Sequence, residues 1–126
     1  MSADMNFVTS DVMQSYEDSL VAELLRVFPD YEIFVGQVRE RLPRKSVIVV
    51  IKQAYLQRAS VDVQRRTLIT DIAVVSPESD NWVNNRFAEI KSIKLGNVEK
   101  IIKDGRFNIV DGINHMSFTT YLSEIS

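Results

Sequence analysis

The sequence predicts an α+β domain built on a mainly antiparallel β-sheet, with two α-helices packed on one face. Three observations carry this. An apolar repeat with a spacing of four opens the chain, and two long β-branched runs follow it back to back. A last pair of strand-like runs then closes the chain around an Asp-Gly turn. The order is α, β, β, β, α, then two or three β, which is neither an all-β pattern nor a regular βαβ alternation. The length of 126 residues fits a single domain spanning 1–126.

Residues 1–9 are expected to be a flexible leading segment. Thr9 or Ser10 can cap a helix, with Asp11 favourably placed in its first turn. Val12, Tyr16, Leu20, Leu24 and Phe28 then form one helical stripe, widened by Met13, Val21, Leu25 and Val27. Pro29 disfavours helical backbone in the residue before it, so the helix should run from about Asp11 to Phe28. Tyr31–Val35 is rich in strand formers and ends at Gly36. Gln37–Lys45 is basic and contains Pro43, which suits a loop or irregular edge.

Ser46–Tyr55 is the strongest strand signal, because Val47 to Ile51 are all β-branched. Leu56–Gln64 should hold the turn, with Ser60 and Asp62 as its polar formers. Arg65–Ser76 is a second long strand. Its alternation sends Leu68, Ile72 and Val74 to one face and Ile69, Ala73 and Val75 to the other. Ser76-Pro77 has the form of a helix start, and Val83, Phe87, Ile90 and Ile93 mark the buried face of the helix, flanked by Trp82. Gly96 fits a cap after the last turn, and Asn97–Lys103 a short strand. Asp104-Gly105 is a turn. Arg106–Val110 and His115–Ile125 read as strands joined by Asp111-Gly112-Ile113-Asn114.

Composition narrows the function. With no cysteine, disulfides, thiolate nucleophiles and cysteine-ligated metals are excluded, and the single histidine, His115, excludes a multi-histidine site. No cofactor or metal is expected. The start MSADMNFVTSD has no basic segment leading into an apolar one, and no apolar run approaches a membrane span, so a soluble chain is expected. His115 could pair with Asp111, but Ser117, Thr119 and Thr120 form no nucleophile motif and no Gly-x-Ser-x-Gly occurs. Four glycines supply no phosphate-binding loop. Glu78, Asp80 and Asn81 resemble a calcium loop in composition only, without its glycine or ligand spacing. The expectation is a protein that is not an enzyme.

The formal charge of −2 conceals a strong asymmetry. Residues 1–35 carry a net −6, residues 36–66 a net +6 and residues 67–126 a net −2. The basic block comprises Arg39, Arg41, Arg44, Lys45, Lys52, Arg58, Arg65 and Arg66. Two arrangements fit this pattern. The blocks neutralise one another within the fold, or the basic edge of one copy meets the acidic surface of the next. The central strands also carry apolar residues on both faces, with Ile48 and Val50 opposing Val47, Val49 and Ile51. Two helices on one face leave the other to a terminal segment, a loop or a second copy.

The helix end LLRVFPDYEIFVG, the strand pair SVIVVIKQAY and RRTLITDIAVVS, and the closing FNIVDGINHMSFTTYLSEI together resemble the tail terminator proteins of long-tailed phages and prophages. The resemblance covers most of 11–125 and rests on element order and a loose terminal motif. It implies a structural virion protein in the tail or neck, assembled in the host cytoplasm. Such proteins form a ring homo-oligomer, commonly a hexamer, that caps the head-proximal end of the tail tube. The ring ends tube polymerisation and offers the head–tail joining surface.

The partners so implied are further copies of the chain, the tail tube protein and a head-completion or neck protein. In contractile tails the last sheath ring is added. DNA only passes through the lumen, and no membrane is involved. Arg39, Arg41, Arg44, Lys45, Arg58, Arg65 and Arg66 become candidates for contacts between subunits or with partners. Arg58, Arg65 and Arg66 are expected to face protein, since lumen-facing bases would hold phosphates. Two alternatives remain. One is another head–tail connector or tube-like component using residues 46–76 as a long hairpin. The other is a nucleic-acid-binding module using the basic 39–66 block.

Overall fold

A computed structural model describes residues 2–36 and 41–125, with side chains over 12–36 and 41–123. The fold is α+β. α1 (Ser2–Val27) leads into β1 (Glu32–Val35), then the long strands β2 (Ser46–Arg58) and β3 (Val63–Val75). α2 (Asp80–Phe87) precedes a small hairpin of β4 (Ser92–Leu95) and β5 (Val98–Ile101). β6 (Arg106–Val110) and β7 (Ile113–Ile125) close the chain. The main sheet has the order β1-β2-β3-β7-β6, and β4-β5 forms a separate two-stranded sheet. Pairing is antiparallel except for β1 on β2, which is parallel, so the main sheet is mixed.

α1 begins at Ser2 rather than near Asp11, and the capping pattern at Thr9 and Ser10 is bypassed. It stops where Pro29 requires, with Phe28 N–H still donating to the Leu24 carbonyl at 2.7 Å. Tyr16, Leu20, Leu24 and Phe28 are fully buried, whereas Leu25 is exposed. Gly36, at φ 74°, donates its N–H to Val49 at the end of β1. Residues 41–45 carry neither helix nor strand.

β2 runs three residues beyond the expected Tyr55, and the turn contracts to Ala59–Asp62. There the Ser60 hydroxyl accepts from the Asp62 and Val63 N–H groups at 3.3 and 3.2 Å. A bulge at Ala54 separates the Gln53↔Leu68 and Tyr55↔Thr67 pairs.

The second helix departs further from expectation. Its N-cap is Ser79, whose hydroxyl accepts from Trp82 N–H at 3.2 Å, and the Ser76 hydroxyl instead accepts from Glu78 N–H. The helix ends at Phe87, so Ile90 and Ile93 lie beyond it, and Ile93 belongs to β4. Both are nevertheless buried. Gly96 is not a helix cap. At φ 61° it turns β4 into β5. The last hairpin is tighter than expected, with Asp111 and Gly112 alone at its tip, at φ 52° and 78°.

One apolar cluster joins Tyr16, Leu20 and Leu24 of α1 to Val83 and Phe87 of α2 and to Val47, Val49, Leu68, Ile72, Val74, Met116, Phe118 and Leu122 of the sheet. In register these strand residues fall on one face. Tyr16 Oη sits 2.7 Å from Thr70 Oγ1 and 3.1 Å from Thr120 Oγ1, and the Phe87 ring stacks on Phe107 at 6.0 Å. Burial pushes the Tyr16 phenol up from its usual range, partly offset by the bonds to Thr120 and Thr70. Tyr31 and Trp82 stack at 6.1 Å, with the Arg86 guanidinium over the Trp82 ring.

Candidate assembly surface

The three long strands are covered unevenly along their length. β2 is buried from Ser46 to Val49, and from Val50 to Arg58 every residue except the half-buried Ile51 is exposed. β1 reaches β2 only as far as Val49, and β6 reaches β7 only from Ile113 to Ser117. Beyond those limits the sheet continues as a three-stranded ribbon of β2, β3 and β7, ending at the Ala59–Asp62 turn. The cause lies in strand length: three strands have 13 residues, while the flanking β1 and β6 have four and five.

On the face opposite the core, apolar residues divide by position. Ile48 and Ala73, near the β1 and β6 end, are covered to 9% and 8% exposure. Val50 and Ile69 are 42% and 41% exposed, and Tyr55 and Tyr121 about two-thirds exposed at 65% and 67%. The spare apolar face expected from the sequence is therefore open along the ribbon end, with Val110 of β6 also exposed at the far end. Leu56 and Val61 add exposed apolar surface at the tip. A groove of about 730 Å³ runs along the outer side of β7, lined by Ile69, Phe118 and Tyr121 together with Glu99, Asp104 and Arg106.

A polar cluster interrupts this face. His115 Nδ1 lies 2.9 Å from Asp71 Oδ2, and the Ser117 hydroxyl donates to Asp71 Oδ1 at 2.8 Å. The histidine's partner is thus Asp71 on the neighbouring strand, not Asp111 at the turn. Pairing Ala73↔His115 and Asp71↔Ser117 creates this contact, a relation across 44 residues that no local spacing reveals. Ser117 bonds the carboxylate rather than the imidazole, so the histidine is not placed as the base of a serine nucleophile. Asp80, one of the calcium-like residues, accepts from Asn114 Nδ2 at 2.8 Å. Among the described residues no group of three or more metal-ligating side chains gathers, and no helix is long and apolar enough to cross a membrane.

The basic candidates separate into two groups. Arg41, Arg44 and Lys45 are exposed in the link before β2, with Lys45 over the Tyr31 ring at 5.9 Å. Arg58 and Arg65 are exposed at the turn end, paired with Gln64 and Gln57. Arg66 is half-buried and donates to Gln53 Oε1 at 2.5 Å. The two groups lie at opposite ends of β2, about 40 Å apart at the usual strand rise. The block that is continuous in sequence is therefore not one patch in space. Arg39 lies outside the described residues. The exposed ribbon aromatics Tyr55 and Tyr121 were not singled out by sequence as interface residues. Tyr121 stands at odd spacing from the buried Phe118 and Leu122, so strand alternation places it on the opposite face, whereas the bulge at Ala54 removes that local signal for Tyr55.

No protein-family model matches the chain, and no curated protein matches it. A solved structure that carries no functional name is similar, with a TM-score of 0.56 at 10% sequence identity, over 93% of this chain and 95% of that one. At that identity the likeness extends to the fold alone.

Proposed function

We propose that the chain is a structural virion protein of the tail-terminator kind. Copies form a ring, with six the expected number, on the head-proximal end of a phage tail tube. The ring ends tube polymerisation and presents the surface on which head-completion proteins dock. In this reading α1 and α2 both lie on the core face and leave the ribbon to neighbouring copies. It acts without catalysis or a cofactor.

The observation that supports it best is the bare ribbon, where Val50, Tyr55, Leu56, Ile69 and Tyr121 are exposed while Ile48 and Ala73, nearer β1 and β6, are covered. Exposed apolar surface of this kind favours a protein partner. Head-to-tail contacts that close on themselves make rings. The separation of Arg41, Arg44 and Lys45 from Arg58 and Arg65, with Lys52 alone between them, favours protein contacts over a single nucleic-acid patch.

The test is molar mass by light scattering after size exclusion across a concentration series, with negative-stain imaging, repeated in the presence of isolated tail tubes. A ring of about six copies, free or on tube ends, is expected. A chain that stays monomeric at every concentration and leaves tube ends bare would overturn the reading.

A further inference from the structure

The ribbon has two open edges, and their placement identifies what fits them. On one side, no described residue pairs with the outer edge of β2 beyond Val49. On the other, none pairs with the outer side of β7 beyond Ser117. Unpaired backbone N–H and C=O groups along such lengths are a template for another strand. We infer that the β2 edge of one copy, residues 50–58, pairs with the β7 edge of the next, residues 118–125, so that the sheet continues from copy to copy. The inference rests on the ring reading and gives it an interface.

Three features select a second copy as the occupant. Both open edges lie at the same end of the sheet, because residues 50–58 and 118–125 flank the same stretch of β3. β2 and β7 are each antiparallel to β3 and hence parallel to one another. A single rotation between copies therefore lays one against the other as a parallel pair, satisfying both edges of every copy. A foreign strand would satisfy one edge and leave the other bare.

The edges also match in length and charge. They are nine and eight residues long; the first carries Lys52 and Arg58 with no acid, and the second Glu124 with no base. The groove beside Phe118–Tyr121 gives the incoming strand room, and the ribbon aromatics Tyr55 and Tyr121 are brought to one continuous face.

The absence of native cysteine makes this directly measurable. Tyr55 and Tyr121 both pair with Thr67, from opposite sides. Within one chain they are two strand spacings apart, about 9.6 Å. That exceeds the ~7 Å reach of a disulfide, so any bond joins two copies. Chains bearing Tyr55→Cys and Tyr121→Cys are oxidised separately and mixed, with Gln57→Cys, Thr119→Cys and Ser123→Cys scanning the register.

Cross-linking in a mixture but not in either variant alone is expected. The double variant should give a ladder ending at the ring's copy number. Single variants that cross-link to themselves would overturn the inference, since they report a face-to-face two-fold contact. Rings seen by light scattering without any cross-link in the scan would overturn it while leaving the ring standing. Monomers that neither cross-link nor bind tubes would remove both.

Discussion

The Tyr16 hydroxyl lies 2.7 Å from Thr70 Oγ1, joining the middle of α1 to the middle of β3 across 54 residues of sequence. Thr120 of β7 completes the set at 3.1 Å. Three hydroxyls from three elements thus satisfy one another inside an apolar cluster, where a lone hydroxyl would be costly. Tyr16→Phe should lower stability by about 1–2 kcal/mol, because Thr70 and Thr120 lose a shared partner. Urea denaturation at neutral pH measures it.

The same phenol gives the protein an alkaline limit. Its folded pKa is raised above the ordinary 10.0, so between the two values the unfolded chain releases a proton that the folded chain keeps. Stability is therefore intact below the unfolded value and falls as pH rises above it. Melting temperature should decline more steeply above pH 10 in the parent than in Tyr16→Phe, after correction for other tyrosines by Tyr121→Phe.

Leu68 and Ile69 are neighbours in the chain on opposite faces of β3, the first fully buried and the second 41% exposed. Leu68→Ala should cost about 2–5 kcal/mol by opening a cavity. Ile69→Ala should cost under about 1 kcal/mol. Ile69→Asp should leave the monomer folded yet weaken self-association. Calorimetry and sedimentation, run on the three variants, separate the effects.

Asp71 accepts from both His115 and Ser117. Asp71→Ala should therefore destabilise more than Ser117→Ala, about 1–3 against about 1 kcal/mol, since it strands two groups rather than one. Equal effects would show that the carboxylate does not bind the pair together.

Neutralising Arg65 and Arg66 together should slow or weaken ring assembly, read by sedimentation velocity, if these residues face protein. DNA affinity should be low and shallow in its salt dependence, because Arg41, Arg44 and Lys45 stand at one end of β2 and Arg58 and Arg65 at the other, with Lys52 alone between them. A steep salt slope would favour the nucleic-acid alternative.

Local periodicity was enough to reveal most elements. The stripe through Tyr16, Leu20 and Leu24, the alternation through Leu68, Ile72 and Val74, and the Asp111-Gly112 turn are all set within a few residues, and each appears where the sequence places it. Helix ends were less legible. Ser76-Pro77 and Ser79 are both chemically fit to cap, and the chain uses Ser79, while the buried Ile93 belongs to a strand although its spacing continues the helical stripe. An apolar residue at helical spacing is also at a plausible strand spacing, and only packing distinguishes them.

The sequence alone determined the α+β class, the division of β3 into two alternating sets of residues and the lack of cysteine or multi-histidine chemistry, while packing decided which set is buried. Tertiary structure decided what depends on pairing between distant residues: the parallel placement of β1, the Asp71–His115 contact, and the division of one basic run into two ends. It also decided which part of the sheet stays open. That outcome depends on how far β1 and β6 extend along longer neighbours, a difference in length between strands remote in sequence that no single segment encodes.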